Sequence, residues 1–176
     1  MARLEAYRIG PEDAAFSFAQ RLARENGWDV PTAERAIGEY KRFCYLAMTA
    51  GHPVTPSDAV DQVWHLHLTF TQDYWQRFCP EVLGRPLHHG PTKGGAAERT
   101  RYYDQYAATL KSYETAFGEV PPADLWPAAR RRFVDDPKAF RVNPSDVLIL
   151  SRKRVKVVAV VALVLGAAFA AIWWGK

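Results

Sequence analysis

From Val157 to Trp174 the chain reads VVAVVALVLGAAFAAIWW, eighteen residues without a charge. As a helix rising 1.5 Å per residue, this run is roughly 27 Å long, close to the hydrocarbon thickness of a bilayer. It is apolar all the way round, and it ends on Trp173 and Trp174, side chains suited to a membrane interface. Residues 157–174 therefore read as a transmembrane helix and not as a core helix. The run lies at the wrong end for a signal peptide, and the N-terminal residues do not resemble one.

Four basic residues, Arg152, Lys153, Arg154 and Lys156, precede the span, and only Lys176 follows it. Positive charge is retained on the cytoplasmic side, which places the N-terminal bulk in the cytoplasm. The expected layout is a tail-anchored, single-pass protein of the cytoplasmic membrane, with the lipid bilayer as its first partner. Within the span Ala162, Gly166 and Ala170 lie four apart, a stripe of small residues that would let two such anchors associate.

The anchor also accounts for the basic net charge of +4, because residues 151–176 hold five Lys and Arg and no acid. The remaining 18 basic and 19 acidic residues leave the rest of the chain close to neutral, which argues against nucleic-acid binding. The Arg130-Arg131-Arg132 run is local and reads as a solvated or lipid-facing edge. Cys44 and Cys79, in a reducing cytoplasm, are not expected to pair.

Helical signals dominate residues 1–118. A first helix is expected from about Pro11 to the stop pair Asn26-Gly27, and a second from Pro31 to Ala50 with Ala33, Ile37, Tyr40, Cys44 and Ala47 on one stripe. A third opens on Thr55 as N-cap with Pro56 at the first helical position, and its stripe runs Val60, Val63, Trp64, His67, Tyr74, Phe78. Pro80–Gly95, dense in proline and glycine, reads as a loop, followed by a fourth helix over Ala96–Phe117. On that helix Tyr103, Tyr106, Leu110, Tyr113 and Phe117 form a narrow seam. Residues 119–143 read as a proline-rich linker, and a juxtamembrane helix begins near Asn143-Pro144, so 144–176 forms the anchor segment. There is no useful β-alternation. The expected fold is all-α, an antiparallel helical bundle followed by one transmembrane helix.

Four of the five histidines fall between Asp61 and His89. On a regular helix residues two apart point roughly 200° away from each other, so His65 and His67 cannot share an ion. His67 lies on the apolar stripe with Trp64, whereas His65 shares the other face with Asp61. A metal could take Asp61 with His65, or His67 alone, completed by His88 or His89 of the loop and by Cys79; zinc accepts such mixed donor sets. Such an ion would tie a helix to a loop with little else to hold it. The other reading is a packed His67 and a histidine-rich polar cluster, since no CxxC or HExxH pattern is present. Cys79 as a catalytic nucleophile is disfavoured by its place at a helix C-terminus, where the dipole does not favour a thiolate.

These residues also form a recognisable pattern. VDQVWHLHLTFTQDYWQRFCPEVLGRPLHHGP resembles the core motif of the glycine-rich domain-containing protein-like family, with Asp61, Trp64, His65, His67, Tyr74, Cys79, Gly84, His88 and His89 at the matching positions. The likeness covers residues 54–92 and weakens over 30–53; the glycine-rich tail that names the family is missing. It implies a shared polar or metal site but brings no reaction. Trp64, His67, Tyr74 and Gly84 are read as structural positions, and Asp61, His65, Cys79, His88 and His89 as candidate ligands of zinc or a similar divalent ion. The functional expectation is a membrane-tethered interaction or scaffold module with an unidentified protein partner. Its rival is a metal-dependent hydrolase using the same histidines, with an open coordination position and one of the nearby acids Asp58, Asp61, Asp73 or Glu81 at hand.

Overall fold

The computed structural model describes residues 1–11, 13–90 and 92–135, and all regular structure among them is helical. The predicted span 157–174, its flank Arg152, Lys153, Arg154 and Lys156, the Ala162, Gly166, Ala170 stripe and the juxtamembrane helix lie outside the described residues. Among the described residues no helix is long and apolar enough to cross a membrane.

The chain begins with a short helix that the sequence pattern does not signal, α1 (Ala2–Ala6), which buries Leu4. Lys41 Nζ donates to the carbonyls of Glu5 (2.9 Å) and Tyr7 (2.7 Å), fastening the C-terminal end of α1 to the rest of the fold. The next helix, α2 (Phe18–Asn26), starts well after Pro11. Ser17 and Gln20 form a reciprocal capping box there, which satisfies two free N–H groups and sets the boundary. It stops at Gly27, whose φ of 66° is the left-handed conformation that glycine adopts without a Cβ penalty.

The central element is α3 (Val30–Thr49), capped by Asp29 with proline in its first turn. It buries Ala33, Ala36, Tyr40, Phe43, Cys44 and Leu46 and packs against α1, α2, α4 (Asp58–Thr69) and α5 (Ala96–Phe117). The N-cap of α4 is Ser57, two residues beyond the expected Thr55. Thr55 is instead buried, and its backbone N–H donates to Thr109 Oγ1 at 3.0 Å, joining the entry of α4 to α5.

The stripe expected to run unbroken to Phe78 is interrupted. α4 ends at Phe70 (φ −85°, ψ 60°), and a π-helix, Asp73–Leu83, takes over. Pro80 lies inside that helix, so the loop begins at Gly84 (φ 75°) and not at Pro80. A proline within an α-helix removes an N–H and crowds the carbonyl one turn back; the wider turns carry it without ending the element. Tyr74, Phe78 and Cys79 of the π-helix enter the core. α5 has the expected bounds, with Tyr106 and Tyr113 fully buried and Tyr103, Leu110 and Phe117 partly so.

The segment read as a linker is packed over its described part. Leu125, Trp126 and Ala129 are buried in the core. Trp126 Nε1 donates to the buried carboxylate of Glu39 on α3 (2.9 Å), Tyr106 Oη donates to the Pro127 carbonyl (2.8 Å), and Arg35 pairs with Asp124 (2.8 Å). Two large apolar side chains among prolines leave no periodicity to read, yet they suffice to dock this stretch on α3 and α5. Trp126→Ala should therefore cost about 3–5 kcal/mol, as for other buried aromatics. Trp126→Phe should cost less, and its remaining loss would reflect the lost hydrogen bond to Glu39 Oε2, whose other oxygen stays paired with Arg42. Thermal melts of the two variants check this, and a Trp126→Ala protein melting like the wild type would return the segment to a free linker.

Candidate metal centre

α4 is regular from Asp58 to Thr69, and it turns its two histidines to opposite sides. His67 faces the core and is wholly buried. Its Nε2 lies 2.9 Å from Asp73 Oδ2, and its Nδ1 lies 3.0 Å from Tyr40 Oη. Asp73 also accepts from Tyr7 Oη (2.9 Å) and Arg77 Nη1 (3.0 Å). An ionised carboxylate only accepts, so the imidazole proton sits on Nε2, and Nδ1 accepts from the Tyr40 hydroxyl. Burial holds the Tyr40 phenol well above its usual pKa, which keeps it a donor. Burial also pulls His67 from its ordinary 6.5 down to about 4, outweighing the opposite pull of Asp73. His67 is thus a neutral, fully partnered core residue. Nothing in the sequence pattern singles out Asp73 and Tyr40 as its partners.

On the solvent side of the same helix, Asp61 and His65 stand one turn apart and meet His89 from the loop. His89 Nε2 is 2.9 Å from Asp61 Oδ1 and 3.1 Å from His65 Nε2, and His65 Nε2 is 3.7 Å from Asp61 Oδ2. One donor atom from each of the three residues lies within 4.8 Å of the others, so the cluster could hold a metal ion. Ligands at ~2.0–2.1 Å from a tetrahedral zinc stand roughly 3.3 Å apart; the two contacts to His89 Nε2, at 2.9 and 3.1 Å, lie near that value, while the 3.7 Å contact of His65 is to the other carboxylate oxygen of Asp61. The side chains are 47% (His65), 21% (Asp61) and 23% (His89) exposed, which places the cluster at the surface.

The other two candidate ligands do not join it. Cys79 is buried in the core, where the π-helical register directs it, and His88 lies against the Trp75 ring at 5.3 Å. Adjacent loop residues point to different sides, which is why only one member of the His88-His89 pair reaches Asp61.

The loop has more to hold it than its composition implies. Trp64 Nε1 donates to Tyr74 Oη (2.9 Å), and the Tyr74 hydroxyl donates onward to the Leu87 carbonyl, two residues before His89. Arg85 Nη2 donates to the Ala47 carbonyl of α3 at 3.1 Å. The Trp64 ring lies 4.6 Å from that of His89 and 5.2 Å from that of Phe43. Tryptophan 64 therefore supports the cluster from beneath while packing in the core.

Beside the cluster is a cavity of about 470 Å³, lined in part by Asp61, Trp64, His88, His89, Arg101 and Arg132. Arg132 comes from the supposed solvated edge Arg130-Arg131-Arg132. Arg131 is exposed, but Arg132 is half-buried with its guanidinium 5.0 Å from the Tyr106 ring. Asp61 and His89 line this cavity and His65 stands outside its wall; a tetrahedral ion held by all three would keep one position for a ligand or water.

The buried His67 makes stability depend on pH. Between about 6.5 and 4 the unfolded chain binds a proton that the folded chain excludes. Its contribution is therefore complete above 6.5 and is lost as pH falls, approaching about 3 kcal/mol near pH 4. Melts of wild type and His67→Gln across this range check it: the variant should start lower and show a shallower decline from this group.

No curated protein and no solved structure matches the chain. The UCP032817-like family model matches residues 15–108, more than half the chain, from before α2 into α5 and across Asp61, His65 and His89. The chain belongs to the UCP032817-like family.

Proposed function

We propose that this chain is a membrane-tethered interaction module whose Asp61, His65 and His89 bind a divalent metal ion. One observation carries the metal reading: two imidazole nitrogens and a carboxylate, from two successive turns of α4 and the loop, converge so that one donor atom of each lies within 4.8 Å of the others. Two imidazoles and a carboxylate suit zinc, and the same set suits iron(II). Asp61 would contribute negative charge, and His65 and His89 would bind as neutral rings. Trp64, Tyr74 and Leu87 fix the loop that brings in His89. A bound ion would supply Lewis acidity and one exchangeable position facing the cavity.

The tether rests on residues 152–174 of the sequence. A relation to the glycine-rich domain-containing protein-like family is part of the proposal and rests on the Asp61–His89 motif alone. The rival, a metal-dependent hydrolase, has one observation in its favour, because His88 lines the same cavity and could serve as a base. Against it, the only carboxylate lining that cavity among the described residues is Asp61, already committed as a ligand. We therefore favour ligand or partner binding over hydrolysis.

Elemental analysis of the full chain, purified in detergent without a metal-binding tag, tests this. About one equivalent of metal is expected. His65→Ala, His89→Ala and Asp61→Ala should each weaken it by more than the ~10–100-fold typical of losing a residue that only orients a ligand. His88→Ala and folded Cys79→Ser should retain it. Natively folded protein that neither carries an ion nor binds added zinc or iron(II) ends the metal reading. For the tether, a reporter after Lys176 should sit outside the cytoplasm and one at the N-terminus inside; the reverse arrangement ends the proposed placement.

A further inference from the structure

Arg132 is poorly satisfied for a side chain so enclosed. Its Nη1 is buried and has no hydrogen-bond partner among the described residues, although the side chain also interacts with the Tyr106 hydroxyl. A buried donor on a charged group left without a partner is costly, and native structures rarely leave one unused. The guanidinium lies 5.0 Å from the Tyr106 ring and 5.2 Å from the Phe133 ring, contacts that fix its orientation. Arg132 lines the same cavity as Asp61 and His89. The carboxylates whose charge acts on it are Asp61 and Asp58, and Asp61 is turned toward His89. Arg101 lines the cavity too, but its fork is already taken by Glu98, at 2.9 and 2.8 Å.

The rest of the wall is largely apolar, with Val54, Trp64, Tyr102 and Phe133 prominent. A space of about 470 Å³ lies within the ~300–1,000 Å³ range typical of small-molecule sites. We propose that this cavity binds a small molecule with an oxyanion head, phosphate or carboxylate, and a flat apolar body. The head lies between the metal held by Asp61, His65 and His89 and the guanidinium of Arg132. The proposal rests on the metal reading for one of its two anchors. Arginine supplies the other, since its planar fork matches either oxyanion with two parallel N–H donors. The aromatic wall takes the body.

The test uses the full chain in detergent, loaded with one equivalent of zinc and titrated calorimetrically with phenyl phosphate, benzoate and inorganic phosphate. Saturable one-site binding of phenyl phosphate or benzoate, tighter than that of inorganic phosphate, is expected; the order of the first two identifies the preferred head. Arg132→Gln should weaken the better ligand by about tenfold or more with zinc content unchanged. Arg132→Lys keeps the charge and loses the fork, so it should bind between the two. It carries the test if melting shows that Arg132→Gln does not fold. Arg101→Gln should have the smaller effect. Normal zinc uptake with no binding of the three probes, or with binding unchanged in the folded Arg132 variants, overturns the oxyanion site alone. Failure to take up zinc overturns the metal reading and the bridged site with it.

Discussion

Four parts of the chain meet at the imidazole of His67. Its ring joins α4 to Tyr40 of α3 on one side and to Asp73 of the π-helix on the other, and Asp73 in turn receives Tyr7 from the end of α1. Phe78 and Phe18 pack against the ring, 4.7 and 6.1 Å away. A buried polar residue with every hydrogen-bonding group engaged specifies one arrangement of the elements around it, because any slip leaves a donor or acceptor unpaired in a poorly solvating interior. The helices could bury their apolar faces in more than one rotation. The Tyr40–His67–Asp73–Tyr7 chain selects one.

That selection also determines what α4 shows to solvent. With His67 turned inward, helical geometry places Asp61 and His65 outward on the opposite side, one turn apart and aligned. Trp64 lies between these two directions. It reaches Phe43 in the core and the His89 ring at the surface, and its indole N–H starts the relay through Tyr74 to Leu87. The surface cluster is therefore positioned by the same packing that stabilises the bundle. A substitution at Trp64 would perturb both.

Local chemistry made part of this legible. Asn26-Gly27 marks a helix stop, Ala96–Phe117 carries a sustained tyrosine seam, and Asp61 with His65 obeys i,i+4 spacing. The parts that were not legible depended on distant contacts or on ambiguous local choices. Thr55 and Ser57 are both good caps flanking a proline, and the contacts of Thr55 with Thr109 and Gln105 of α5 leave the cap to Ser57. Pro80 reads as a helix terminator unless the turns widen, and that widening also decides where the Cys79 thiol points. His88 and His89 are equivalent on paper; loop geometry sends one ring to Trp75 and the other to Asp61. Leu125 and Trp126 show no periodicity, and only the surface waiting on α3 and α5 reveals them as core.

The relay from Trp64 through Tyr74 to Leu87 has a kinetic consequence. Withdrawing the loop would break hydrogen bonds that are partly or wholly shielded from water, so the His89 arm of the cluster is the slow one. Asp61 is tied to the helix backbone by a short side chain and can move little. His65 is the most exposed of the three, and side-chain rotation alone takes it away from the other donors. An ion seated here would therefore leave by a stepwise route in which His65 lets go first. The ion would then rest on Asp61 and His89, the two arms that move least, and these would set its residence time.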